Sequence, residues 1–145
     1  MKKVVSVLLV FVFAICLSGC GNKKLSLECK RNAQGVDITL STSVVGNLAA
    51  SMNINYFSNL SNRTDEEIAS FEKQDFCSAI KESMPDYKDA FGECKSKIDK
   101  TKKDLNIDIK IDVDKLGKNK SDKMGDVETM KESFEAQGYS CTIKK

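Results

Sequence analysis

A chain of 145 residues has room for one domain around one core, and it contains no histidine. That absence excludes Ser-His-Asp and Cys-His catalysis, histidine zinc sites and a histidine pH switch. With 23 basic and 21 acidic side chains nearly balanced, nothing in the charge points to nucleic acid.

In chain order, Lys2 and Lys3 precede fourteen uncharged residues, Val4 to Leu17, and then small Ser18 and Gly19. This is the pattern of a signal peptide, since a spanning helix needs about 20 apolar residues. Leu17-Ser18-Gly19-Cys20 resembles the bacterial lipobox. The resemblance implies a diacylglyceryl group on the Cys20 sulfur, further acylation such as palmitate, and cleavage before Cys20. Loss of residues 1–19 leaves 126 residues in which 21 basic side chains face 21 acidic ones. Residues 20–24 would then be a lipidated cysteine and short tether, holding a single domain of residues 25–145 within roughly 14 Å of the bilayer. The localisation expected is the extracytoplasmic side of a cell membrane, by a lipid anchor.

Leu25, Leu27 and Cys29 alternate with polar residues up to a turn at Asn32–Gly35, and Val36, Ile38, Leu40, Thr42 and Val44 alternate up to Gly46-Asn47, a hairpin signal. Leu48, Ala50, Met52, Ile54 and Tyr56 form the inward face of a third strand. The three make an antiparallel meander with one polar face. Thr64 and Glu67 have capping-box spacing, and Asp65, Glu66 and Glu67 suit a helix N-terminus. The helix carries Ala69, Phe76, Ile80 and Met84 on one stripe, has Cys77 at its edge, and stops before Pro85. Residues 86–92 read as a loop or a short second helix. Period two returns with Cys94, Ser96 and Ile98, then with Ile107, Ile109, Ile111 and Val113, a second hairpin. Val127, Met130 and Phe134 mark a last helix ended by Gly138, and Tyr139, Cys141 and Ile143 a closing strand.

With Cys16 lost in the signal and Cys20 lipidated, Cys29, Cys77, Cys94 and Cys141 remain. An even number outside the cytoplasm implies two disulfides, with three possible connectivities. Cys29 and Cys141 lie on the apolar faces of terminal strands, whereas Cys77 and Cys94 lie on neighbouring elements. The favoured pairing is therefore Cys29 with Cys141 and Cys77 with Cys94. A zinc site is disfavoured because the paired C-x-x-C knuckles are missing.

Other candidates are weaker. Asp112, Asp114 and Gly117 match three positions of a calcium loop, but Leu116 and Lys123 occupy ligand positions, so no metal is expected. No catalytic constellation, phosphate loop or cofactor motif is present. Residues 64–93 hold nine acids and three lysines, whereas residues 94–123 hold ten lysines and six aspartates. The basic hairpin reads first as a solvated face whose Lys95, Lys97 and Lys110 discourage edge pairing, and second as a surface for anionic headgroups. Phe57 and Phe71 fall off the apolar stripes, either packed under a loop or part of a binding surface.

The lipobox, three-strand start, helix, basic hairpin, second helix and closing Gly138-Tyr139-Ser140-Cys141 together resemble small YehR-like bacterial lipoproteins. The resemblance implies an α+β domain, a three-strand meander plus a hairpin packed by two helices on one face. The function expected is a non-enzymatic binding or interaction module at the cell envelope, with an inhibitor or immunity-type lipoprotein as the alternative. Its partners would be the membrane, through Cys20, and an envelope protein or small ligand.

Overall fold

Alternating side chains sort the strands into one sheet with a dry face and a wet one. The computed structural model of the chain describes residues 24–45, 48–116 and 126–145. Strands β1 (Lys24–Ala33), β2 (Val36–Val45) and β3 (Leu48–Asn59) form the antiparallel meander. Helices α1 (Asp65–Glu72) and α2 (Phe76–Ser83) follow, then β4 (Phe91–Asp99), β5 (Asp104–Ile111), α3 (Val127–Ala136) and β6 (Ser140–Lys144). The sheet order is β4-β5-β3-β2-β1-β6, antiparallel throughout. The class is α+β, and the helices pack on one face of the sheet.

One row of register partners crosses all six strands: Cys141, Cys29, Leu40, Ile54, Ile109 and Cys94. Its apolar members are the centre of the core, with Ile109 2% exposed and Cys29 1%. The row on one side is Leu27, Thr42, Met52 and Ile111, all buried. On the other side run Arg31, Ile38, Tyr56, Ile107 and Ser96, and beyond them Ala33, Val36, Ser58, Leu105 and Ile98. Burial weakens along these last two rows, where the helical cover thins.

Cys29 is joined to Cys141, across the β1–β6 pair, and Cys77 to Cys94, fastening α2 to edge strand β4. Both bridges thus stand on the central row, one at each flank of the sheet. The register slips between Ser43 and Val44, where Val44 faces Ala49 while Ser43 faces Ser51. Ala50 is the extra residue of this bulge and is exposed, so Ala49 takes the inward position expected of Ala50. The Gly46-Asn47 turn itself lies outside the described residues.

The single helix expected from Thr64 to Met84 is two helices. Thr64 does form the capping box: its hydroxyl accepts from the Glu67 amide at 3.2 Å, and the Glu67 carboxylate accepts from the Thr64 amide at 2.8 Å. Asp75 then starts a second helix by accepting from the Ser78 amide at 3.0 Å and its hydroxyl at 2.7 Å. A carboxylate that satisfies a fresh set of N-terminal amides outcompetes continuation of a helix already two turns long. The phase changes at the break, so Ile68 is the buried residue of α1 and Ala69 is exposed. Residues 85–87 form a single 3-10 turn after Met84.

Helix α3 closes as expected of Gly138, which has φ +88°. The Tyr139 amide donates to the Phe134 carbonyl and the Gly138 amide to the Glu135 carbonyl, the two bonds of a Schellman motif, and the Tyr139 ring meets Phe134 edge-on at 5.8 Å. This turn delivers the chain into β6 with Cys141 opposite Cys29.

Candidate functional site

Helix α2 covers the sheet at β4, and α3 covers it at β6 and β1. Between these flanks, at the end of the sheet where the β1–β2 turn lies, a cavity of about 740 Å³ remains. Its floor is Val36, Tyr56, Leu105 and Ile107, inward residues of β2, β3 and β5. Its helical wall is Phe71 of α1 with Phe76 and Ile80 of α2, the two phenyl rings 6.5 Å apart. Leu60 joins from the segment that leaves β3. The rim is polar and carries no carboxylate: Gln34, Ser58, Asn59, Asn62, Ser83 and Arg63. Cavities of about 300–1,000 Å³ with apolar walls and a few polar groups are the usual form of small-molecule sites.

Two of these residues have functional groups to spare. Tyr56 is half-buried on the cavity floor, and burial first, the neighbouring Tyr139 second, push its phenol above the ordinary 10.0. Arg63 makes one loose ion pair, 3.4 Å to Glu67, whose carboxylate is already engaged by the Thr64 amide. The second arginine, Arg31, donates to the Gln137 carbonyl at 3.0 Å and lies over the Tyr139 ring, which makes it a brace for the C-terminus of α3.

The carboxylates do not converge. Glu28 is lowered by hydrogen bonds from Lys144 and then Lys30, and Glu93 by Lys95. Glu67, Asp75, Asp99 and Asp126 are lowered chiefly by backbone amides, those of Thr64, Ser78, Lys102 and Thr129. All have local structural partners, and they are spread over the whole surface. Among the described residues no three His, Cys, Asp or Glu side chains are grouped to hold a metal ion. Asp112 pairs with Lys115 at 3.1 Å, and Asp114 is exposed in a 3-10 turn, while Gly117 and Lys123 lie outside the described residues.

The opposite charges of the two central segments meet within the molecule. Lys103 pairs with Asp65 at 2.9 Å and Lys100 with Glu72 at 3.0 Å, so the β4–β5 turn is seated against α1. The Leu60 amide also donates to the Lys103 carbonyl, at 2.6 Å. Lys95 and Lys97 stand on edge strand β4, but Lys110 is on β5, an interior strand, and guards no edge.

Phe71 is half-buried in the cavity wall rather than under a loop. Phe57 points to the wet face and is half-covered in a shallow depression with Lys97, Lys102 and Asn106. The lipobox residues Leu17, Ser18, Gly19 and Cys20 lie outside the described residues. Sequence reasoning passed over Leu60, Asn62 and Arg63, which sit in a connection with no periodicity. The available signal was Arg63 itself, one of two arginines among 21 lysines.

No family model matches the chain, and no curated protein matches it. Among solved structures, the NMR structure of the YehR protein of E. coli superposes with a TM-score of 0.55 at 15% identity, over 84% of this chain and 93% of that one. An NMR structure of a protein from Streptococcus pneumoniae TIGR4 gives 0.48 at 13% identity, over 84% and 86% of the two chains. The chain has a YehR-like fold, and at this identity the likeness concerns the fold alone.

Proposed function

We propose that the protein is a non-enzymatic binding module of the bacterial envelope, anchored by lipid on Cys20, whose site is the cavity between α1, α2 and the sheet. The observation that carries this reading is the position and make-up of the cavity. Lys24 pairs with Val45 at one end of the β1–β2 hairpin, and Ala33 with Val36, a floor residue, at the other. Ten residues of strand, about 30 Å at 3.4 Å each, separate them. A domain tethered just before Lys24 would hold the cavity away from the bilayer, open to the envelope space. The basic β4–β5 turn lies at that same far end, because Asp104 pairs with Asn59, and this speaks against a role in gripping headgroups.

A walled cavity favours a small ligand over capture of a protein. Among the described residues the exposed large hydrophobic side chain is Val45, with no flat patch at Phe57 or Phe71. The scattered carboxylates and the missing histidine favour binding over catalysis.

The test is to label cells with a palmitate analogue, extract the chain from its membrane and examine it by native mass spectrometry. The wild type is expected to carry the label and a non-covalent small molecule. Cys20→Ala should be unlabelled and released from the membrane, and Ile80→Trp, which fills the cavity, should lose the bound mass. An unlabelled wild type would refute the anchor, and a wild type with no bound molecule would refute the site.

A further inference from the structure

The make-up of the cavity goes further than an apolar site, and this step rests on the reading just given. We propose that its ligand is an amphiphile with a single carboxylate, a medium-chain monocarboxylate whose head is held by Arg63. The tail would lie between Phe71, Phe76 and Ile80 on the helical side and Tyr56 and Ile107 on the sheet, where no charged side chain intrudes. Among the residues lining the cavity, Arg63 is the one that carries charge.

Three observations make it a receptor for an anion rather than a structural cation. Its planar fork offers five donors, and its recorded partner is one Glu67 oxygen at 3.4 Å, beyond the 2.7–2.9 Å of a strong charge-assisted bond. Glu67 is itself retained by the Thr64 amide, so Arg63 can turn to a second carboxylate without leaving an unsatisfied buried group. The nearby Asp65 is neutralised by Lys103, which lessens repulsion at the rim. One arginine matches one negative charge, and the guanidinium fork matches a carboxylate bidentately, with Asn62 and Asn59 amides beside it. A cationic head would find no carboxylate on the rim, and a neutral head would leave Arg63 unused.

The full chain, reconstituted in phosphatidylcholine nanodiscs, is dialysed to equilibrium against radiolabelled decanoate, decanol or decyltrimethylammonium, with empty nanodiscs as the blank. The wild type should bind decanoate saturably, one per chain, at least about tenfold tighter than either of the others. Arg63→Gln, an exposed change, should bring the three within about twofold while keeping the melting temperature. Ile80→Trp should abolish saturable binding of all three, and if it does not fold, Ser83→Trp at the rim serves instead. Equal wild-type affinities for the three probes, or a decanoate preference that survives Arg63→Gln, would overturn the carboxylate assignment and leave the apolar cavity standing. No saturable binding of any probe, or binding indifferent to the tryptophan variants, would overturn both.

Discussion

The two disulfides sit on the same row of the sheet, yet they should fail in different ways. Cys29 and Cys141 are 112 residues apart in sequence, Cys77 and Cys94 only 17. If a bridge acts by restricting the unfolded chain, the first contributes about 4.7 kcal/mol and the second about 3. The difference, about 1.7 kcal/mol, follows from 1.5RT times the logarithm of the loop ratio. With urea slopes of about 1–3 kcal/mol per molar, the midpoint of Cys29→Ala/Cys141→Ala should lie about 0.6–1.7 M below that of Cys77→Ala/Cys94→Ala. Removal of the buried Cys29 sulfur adds to the gap. Local effects should run the other way. Helix α2 has eight residues and none is fully buried, so its bridge to β4 is its strongest tie to the sheet. Native-state hydrogen exchange on Cys77→Ala/Cys94→Ala should show α2 amides opening far below the global free energy while β5 amides keep theirs. Equal urea midpoints for the two double variants would refute the loop-entropy argument, and α2 amides as protected as those of β5 would refute the latch.

Three further outcomes follow from single groups. Glu28, Glu67, Asp75, Asp99 and Asp126 all titrate below their ordinary 4.5 or 3.8 in the fold, so their contribution is complete above those values and disappears as pH falls through the lower native ones. The urea midpoint should therefore hold from pH 7 to about 5 and drop steadily below; a midpoint unchanged between pH 5 and 2 would contradict this. Tyr56 is raised above 10.0 by burial, so the unfolded chain loses its proton first and stability should decline once pH passes 10. Ultraviolet titration should show a late phenolate that Tyr56→Phe removes, and a Tyr56→Phe curve that still contains the late phase would count against it. A Cβ on Gly92 would lie 2.9 Å from the Lys110 carbonyl oxygen, a backbone atom that cannot move aside cheaply. Gly92→Ala should cost about 1–3 kcal/mol and release protection in β4, and a thermal midpoint equal to wild type would refute that close approach.

The sheet was legible because a half-buried antiparallel strand shows every second residue to the core. Ile107, Ile109 and Ile111 could be placed on one face without any knowledge of their neighbours, and the cysteines inherited their faces from the same alternation. What period two conceals is a change of phase. The bulge moved the inward position from Ala50 to Ala49, and two small residues in succession gave the hydropathy no means of marking it. The break between α1 and α2 was visible in principle, since Asp75-x-x-Ser78 has the form of a side-chain cap. It was hidden by Phe76, Ile80 and Met84, whose spacing continues a helical stripe whether or not the helix restarts.

The candidate site was barely legible, for a reason that follows from how it is built. Period analysis finds residues that pack against their own element's neighbours, whereas this cavity exists where packing stops. Tyr56 and Ile107 read as ordinary core positions, and only the third dimension shows that α2 and α3 leave a cavity above them at one end of the sheet. Phe71 looked misplaced because a single helix was assumed. With α1 ending at Glu72, the turn to Asp75 swings Phe76 to within ring contact of Phe71, and the two become one wall. The break in the helix and the presence of the cavity therefore have the same origin. An unbroken helix over residues 64–84 would keep Phe71 and Phe76 five residues and about 7.5 Å of rise apart along one axis. Strengthening the helix across the break, by Asp75→Ala with Lys73 and Gln74 unchanged, should therefore weaken decanoate binding although neither Asp75 nor its partner Ser78 lines the cavity. Unchanged affinity in a variant whose α2 amides have lost their cap would show that the wall does not depend on the break.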